Sequence, residues 1–446
     1  MIFLCQTVAW QVPDFTTGVR SLANCAANRQ GCKGEAIMSH RQARRHAISR
    51  RRFIAGSAAT SALTFPGVVR GQAKAIKVGL IHPVTGFVAY SGQQSRIGAA
   101  MAIEDVNKAG GIKAIGGAPL EALLGDSQSK VEVGVSEVEK MNEAGVAAYI
   151  GCFQSPVGVA ASQAAAKYNT PFIIDVGASD LIVSRGLKNV FRLKPGFGRC
   201  AEDAIVALGE INTAAGSPAK SAVLVHESGE FGTGTAKLLA GKLPSIGIEA
   251  KELIAHDNPT RNMDNVALRI RGIRPDILIM SNYVNEYTLL ARTLHQQKVD
   301  VIAMFSVLGG GFNYKLVKDL PEVAENMMDY NHWFNPKSGR AQDLKKRVQA
   351  AGGLFTFEVY LTYNSVMLLA DALERAKTAD KDRLIEALTT STWATDIVPY
   401  GPTKFVNGQN EGGRAAGLQV QKGDIQVVHP AQFASASAVF PKPKYN

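Results

Sequence analysis

At 446 residues, 46% hydrophobic and 20% charged, the chain is long enough for two domains with full cores and too mixed in composition for an unfolded one. Its formal charge of +11 would suit nucleic acid or a membrane surface, but residues 1–73 carry ten of the 49 Lys and Arg and only Asp14 and Glu35 of the 38 acids. The rest of the chain is near neutral at +3, which argues against a nucleic-acid partner for the folded part.

Ser49-Arg50-Arg51-Arg52-Phe53-Ile54 is a basic start that opens into an apolar stretch, residues 53–69, diluted by Ser57, Thr60, Ser61, Thr64 and Pro66. A membrane span needs about 20 apolar residues, so this stretch is too short and too polar for one. Gly71-Gln72-Ala73 then supplies small residues for cleavage. The segment resembles a twin-arginine export signal, which implies the twin-arginine export machinery as a partner and a periplasmic product cleaved near Ala73. The leader is expected over 1–73, with 38–73 as the signal peptide and 1–37 as an upstream extension if Met38 is the true start. No cysteine follows the apolar stretch, so lipid attachment there is not expected. Cys5, Cys25 and Cys32 would leave with the leader. Cys152 and Cys200 remain, and they suit buried small hydrophobes better than a disulfide framework, with their pairing left open. His82, His226, His256, His295, His332 and His429 are scattered singly, so no metal is expected.

From residue 75 short β-branched runs alternate with longer amphipathic stretches, the pattern of repeated strand-helix units in a parallel sheet. Strands are expected at 76–81, 120–125, 146–151 and 171–175, with helices at 95–108, 131–144 and 157–168. Gly110-Gly111 stops the first helix. A second series follows, with strands at 221–226, 248–253, 276–280 and 301–305 and helices at 232–243, 262–273 and 286–297. Long helices are expected at 338–350 and 357–377, and Lys422-Gly423-Asp424 turns a hairpin between 417–421 and 425–428. The fold class is α/β, with two Rossmann-like lobes, each a mainly parallel sheet flanked by helices.

In open parallel sheets ligands bind beyond the carboxyl ends of the strands, where helix N-termini present free amides. The first such loop, His82-Pro83-Val84-Thr85-Gly86, lacks the glycine spacing of a dinucleotide site, and neither a phosphate loop nor a Gly-x-Ser-x-Gly elbow occurs. Ser155 follows Cys152-Phe153-Gln154 just ahead of a helix, where its hydroxyl suits either a ligand carboxylate or a helix cap. The loop Val176-Gly177-Ala178-Ser179-Asp180 would stand beside it and complete a small polar cradle. Asp175 and Asp180 have no nucleophile, metal or base beside them in the sequence, so an enzyme is not expected, nor is any cofactor.

Several strings fall in a consistent order: Ile76-Lys77-Val78-Gly79-Leu80, Thr85-Gly86-Phe87-Val88-Ala89-Tyr90-Ser91-Gly92 and Ala102-Ile103-Glu104-Asp105-Val106-Asn107 with Gly110-Gly111-Ile112. Gly177-Ala178-Ser179, Val190-Phe191-Arg192, Phe231-Gly232 and Tyr360-Leu361-Thr362-Tyr363-Asn364 continue it. Over about residues 77–377 the chain resembles the type I periplasmic binding proteins of ABC importers, in the leucine/isoleucine/valine-binding branch. The resemblance implies two lobes joined by three hinge crossovers, here 74–193 with 306–398 and 194–305 with 399–446. It also implies that Ser155 and the Ser179 backbone hold a ligand carboxylate, while the Gly177 carbonyl, the Ser179 hydroxyl and Glu286 take an α-ammonium. A buried zwitterion needs both ends met in this way. The chain departs from the family at Ser91 and Phe231, where tyrosines are common, and at Gln154, where the best-known members have a cysteine. Tyr90, Phe153, Phe231, Tyr283 and Trp333, with Ala178 in the cradle, are the expected walls of the side-chain pocket.

The function implied is an extracytoplasmic solute-binding protein that closes on a branched-chain or related apolar amino acid and delivers it, as a monomer, to an ABC permease in the inner membrane. Two alternatives stay open: the same fold binding an aromatic acid or an amide, and a ligand-sensing partner of a membrane receptor.

Overall fold

A computed structural model describes residues 73–444. The expected export leader lies outside the described residues except for its last position. Short apolar runs separated by amphipathic ones give ten strands in chain order: β1 Ile76–His82, β2 Leu120–Asp126, β3 Ala148–Gly151, β4 Phe172–Ile174, β5 Val190–Arg192, β6 Ser221–Glu227, β7 Glu249–His256, β8 Ile277–Ser281, β9 Ala303–Val307 and β10 Met328–Asn331. The tail adds β11 Phe405–Val406, β12 Gln409–Asn410, β13 Ala416–Gln421 and β14 Asp424–His429. Strands β3, β6, β8 and β9 are buried along their whole length because helices cover both faces of their sheets. The outer strands β2 and β7 are partly exposed.

Among the described residues these strands form two seven-stranded sheets, ordered β11-β12-β5-β4-β3-β1-β2 and β14-β13-β10-β9-β8-β6-β7. The first five strands of each sheet pair in parallel and repeat one order, so each lobe reverses its winding once, between β1 and β3 in the first and between β6 and β8 in the second. Those two reversals leave crevices at the strand ends, where doubly wound sheets bind ligands. The chain passes between the sheets three times, after β5, β10 and β12, which gives the expected three crossovers.

The division between lobes differs from the expected one in two places. Residues 306–331 lie with the second sheet, because β10 pairs with β9, and 405–410 lie with the first, because β12 pairs with β5. Strand β10 escapes sequence patterning because its buried Asp329 and Asn331 satisfy each other, Asn331 Nδ2 donating to Asp329 Oδ2 at 2.8 Å. Strands β11 and β12 have two residues each, too few for any period to show.

Helix bounds shift for local reasons. The first helix runs Ala89–Lys108, six residues earlier than its apolar periodicity, and Gly98 lets it approach Val359 of the helix Phe357–Ala376 so closely that a Cβ would meet the Val359 carbonyl oxygen at 2.0 Å. Ser338 is the N-cap of Gly339–Ala350, accepting a bond from Ala341 N at 3.1 Å. The helix Phe197–Ala214, which opens the second lobe, has no counterpart in the expected elements. Cys152 and Cys200 are buried and free. No helix among the described residues is long and apolar enough to cross a membrane, and no group of His, Cys, Asp or Glu among them could hold a metal.

Candidate binding cleft between the lobes

The two winding reversals face each other, and each loop there contributes an aromatic ring. Phe87 follows β1, Phe153 follows β3, Phe231 opens the helix Glu230–Lys242 after β6, and Tyr283 caps the helix Val284–Gln296 after β8. Tyr283 is the hub, its ring centroid 6.1 Å from Phe87, 5.7 Å from Phe153 and 5.6 Å, nearly stacked, from Phe231. Such contacts within 4.5–7 Å each add roughly 0.5–1.5 kcal/mol beyond area burial. Since Phe87 and Phe153 belong to the first lobe and Phe231 and Tyr283 to the second, the rings hold the lobes closed. Polar contacts bridge the same gap: the Ser179 hydroxyl donates to Glu230 Oε1 at 2.8 Å, and Asn285 Nδ2 donates to the Phe87 carbonyl at 2.8 Å.

Beside this hub is a small cavity, partly open to solvent, lined by Phe153, Ser155, Val176, Ala178, Phe231, Tyr283, Leu308, Gly310, Asn331, His332 and Phe357. Five of the expected site residues therefore meet on one cavity: Ser155, Ala178, Phe153, Phe231 and Tyr283. Ser155 is the first residue of its helix, and its Oγ accepts bonds from the Ala178 and Ser179 amides at 3.2 and 3.1 Å. The two halves of the expected carboxylate cradle are thus bonded to each other, and the Ser155 hydroxyl proton is what they leave to offer a solute. The loop is held from behind by Arg192 Nη1, which donates to the Ala178 and Ser179 carbonyls at 2.8 and 2.6 Å.

The other expected residues lie off the cavity wall. Gly177 N donates to the Cys152 carbonyl at 2.7 Å, which locks the two loops together. Ser179 is fully buried and reaches Glu230 across the cleft. Tyr90 has its ring 5.9 Å from Lys315 Nζ of the second lobe. Trp333 packs into a core of Tyr314, Phe334 and Tyr360 rings.

Glu286, expected to meet an ammonium, stands in the first turn of Val284–Gln296 and is buried away from the lining. Its Oε1 accepts a bond from Thr260 N at 3.3 Å, and burial, with the Glu227 charge nearby, pushes its carboxyl above the usual range. Tyr283, the N-cap just ahead of the helix, lines the cavity instead. Glu227, also pushed up by burial, binds the Gly229 and Gly232 amides at 2.5 Å each. No carboxylate lines the cavity among the described residues.

Sequence reasoning missed Leu308, Gly310, Asn331, His332 and Phe357. The first two follow β9, whose strand was expected, so the strand-end rule could have found them. Asn331 and His332 end β10, which gave no signal. Deeper still, His82 and Asp175 form a fully buried pair at 2.7 Å, and the Thr362 hydroxyl donates to the same carboxylate oxygen. Asp175 is thus a tie between β4 and the helix Phe357–Ala376.

The family model for "periplasmic binding protein" matches residues 75–424. The chain belongs to the periplasmic binding protein family. The family is extracytoplasmic, and the relatives and solved structures that the chain resembles are substrate-binding proteins. It is 23% identical over 387 residues to the Leu/Ile/Val-binding protein homolog 8 of Brucella abortus, covering 82% of this chain and 93% of the relative. Among solved structures it is similar to the branched-chain amino acid transporter substrate-binding protein LivJ of Streptococcus pneumoniae in complex with isoleucine, with a TM-score of 0.70, 20% identity, and 82% of this chain and all of the other covered. A solute-binding protein of an ABC transporter from Rhodopseudomonas palustris, in complex with 3,4-dihydroxybenzoic acid, matches equally, with a TM-score of 0.71, 18% identity and coverage of 82% and 98%.

Proposed function

We propose that this periplasmic binding protein, exported by a twin-arginine leader, closes its two lobes on a small carboxylic acid with a flat apolar body and delivers it to the permease of an ABC importer. The observation that carries the reading is the cavity wall: rings of Phe153, Phe231, Tyr283 and Phe357 around Ser155, with no carboxylate among the described lining residues. An α-amino acid would bring an ammonium into this space without a counter-charge, at a cost of several kcal/mol unless water followed it. An aromatic cage also suits a cation. Here, however, the polar groups between the rings are the Ser155 hydroxyl and the His332 ring, whose nitrogens have no partner among the described residues, and both can donate a hydrogen bond to an anion.

A second reading, that the solute is leucine, isoleucine or valine, is favoured by the names of the relatives in Brucella and Streptococcus. A thermal-shift panel separates the two. Ligand at a hundred times its dissociation constant stabilises by about 2.7 kcal/mol, which moves the melting temperature by several degrees. We expect that shift with benzoate, 4-hydroxybenzoate or 3,4-dihydroxybenzoate. A shift with aliphatic amino acids and none with the aromatic acids would replace the first reading by the second.

A further inference from the structure

Most polar groups around the cavity are engaged within the protein. Ser155 Oγ accepts from the Ala178 and Ser179 amides, and the Asn331 side chain is used at both ends, accepting from His332 N at 2.7 Å and donating to Asp329 at 2.8 Å. The backbone of the lining is engaged as well: Leu308 N donates to the Tyr330 carbonyl at 3.0 Å, Gly310 N to the Asn282 carbonyl at 3.0 Å, and the Gly310 carbonyl accepts from Asn313 Nδ2 at 3.3 Å. His332 is the exception. It follows β10 directly, is 2% exposed, and is the one described lining residue on which buried side-chain polar atoms lack a partner, Nδ1 and Nε2 alike. Its main chain is fixed on both sides, the amide by Asn331 Oδ1 and the carbonyl by the Tyr360 hydroxyl at 2.8 Å, which holds the ring at the cavity wall.

An imidazole buried without partners costs more than an apolar ring of similar size, so its nitrogens call for an explanation beyond packing. Burial moves His332 below its ordinary 6.5, and at pH 8 the ring is therefore neutral whatever the size of that shift. A neutral imidazole carries one N–H donor and one lone-pair acceptor. The N–H, like the Ser155 hydroxyl proton, can be taken by the carboxylate of an acid solute. The lone pair cannot, because a carboxylate only accepts, and it needs a donor on the solute.

An ammonium is one such donor, but no carboxylate among the described lining residues would meet its charge. A hydroxyl on an aromatic ring donates without bringing charge, and its ring suits the Phe153, Phe231, Tyr283 and Phe357 walls. We propose that His332 is the specificity-determining residue of the cleft and accepts a hydrogen bond from a ring hydroxyl of the solute, which makes the solute a hydroxylated aromatic acid and not an unsubstituted one. The inference rests on the reading of the cleft as a site for a small carboxylic acid with a flat apolar body, and it names the second polar group that such an acid carries.

Calorimetric titration of the full chain at pH 8 tests this with benzoate, 3- and 4-hydroxybenzoate, 3,4-dihydroxybenzoate, the 3- and 4-fluorobenzoates, and L-leucine as a control. A fluorine fills nearly the space of a hydroxyl and cannot donate. We expect one of the hydroxy acids to bind about tenfold or more tightly than benzoate and than its fluoro counterpart. His332→Phe should bring that acid down to the level of benzoate and leave benzoate itself nearly unchanged, whereas purely structural damage would weaken both acids alike. His332→Gln, which keeps a donor and an acceptor, should recover part of the preference. Equal affinity for benzoate and every hydroxy acid, fluoro acids that bind as well as hydroxy acids, a preference that survives in His332→Phe, or an equal loss of both acids there overturns the inference and leaves the carboxylic-acid reading standing. Should neither variant fold, the acid series on the unsubstituted protein decides. Binding of L-leucine without any of the acids, or no binding of any acid, overturns that reading and the inference with it.

Discussion

The two polar walls of the cleft differ in how completely their groups are paired. On the Ser155 wall each loop is bonded to another part of the protein: Ser155 to the 178–179 amides, Gly177 to Cys152, Ser179 to Glu230, and the 178–179 carbonyls to Arg192. On the His332 wall neither ring nitrogen has a partner among the described residues. The first wall is stabilising and shapes the cavity. The second holds strong groups in reserve, which is the arrangement expected where a solute, present part of the time, completes the bonding. The contrast also gives opposite signs for substitutions on the two sides.

The largest effect should come from the ring hub that joins both walls. Tyr283→Ala removes a buried aromatic that touches both lobes, so it should cost about 3–5 kcal/mol of stability. Calorimetric unfolding would show it, and a loss below about 1 kcal/mol would mean that the rings do not hold the lobes. Next comes Glu358, which follows the cavity residue Phe357. It is fully buried, and neither carboxylate oxygen has a partner, although Ser91 and Thr356 lie nearby. Burial raises it from the ordinary 4.5 to about 7, so the folded protein keeps a proton that the unfolded chain releases above about pH 4.5. Its contribution is fully present below that pH and is lost as the pH rises through 7, on the order of 3 kcal/mol in all. Glu358→Gln should therefore flatten the fall in melting temperature between pH 5 and 8, and an unchanged slope would remove Glu358 from the unpaired set. The smallest effect belongs to the paired wall: Ser155→Ala strands two buried amides and should cost about 1–2 kcal/mol without ligand. If Ser155→Ala were neutral and His332→Phe destabilising, the contrast between the walls would be reversed.

Much of the fold was legible before any coordinates. The runs 277–280 and 301–305 are unbroken and apolar, as a sheet covered on both faces requires, and the helix of Met263, Val266, Ile270 and Ile273 shows its period plainly. Strand β10 was not legible, because its polar residues are satisfied by one another, and the lobe boundary expected at 306 moved with it. The site divides the same way. Ser155, Phe153 and Ala178 stand in loops that directly follow recognisable strands, so their place on the cavity could be read from the strand ends. Glu286 could not be placed, because whether a first-turn carboxylate meets the cleft or the Thr260 amide depends on packing between segments far apart in the chain.

What the sequence by itself determined is the alternation of strands and helices, the repeated lobe, and the loops that follow the strands, since each depends on neighbours along the chain. What only the tertiary structure decided is the polar lining of the cleft. Ser155 and His332 are 177 positions apart and meet on one cavity only through the packing of the lobes, where burial removes the water that would otherwise satisfy the imidazole.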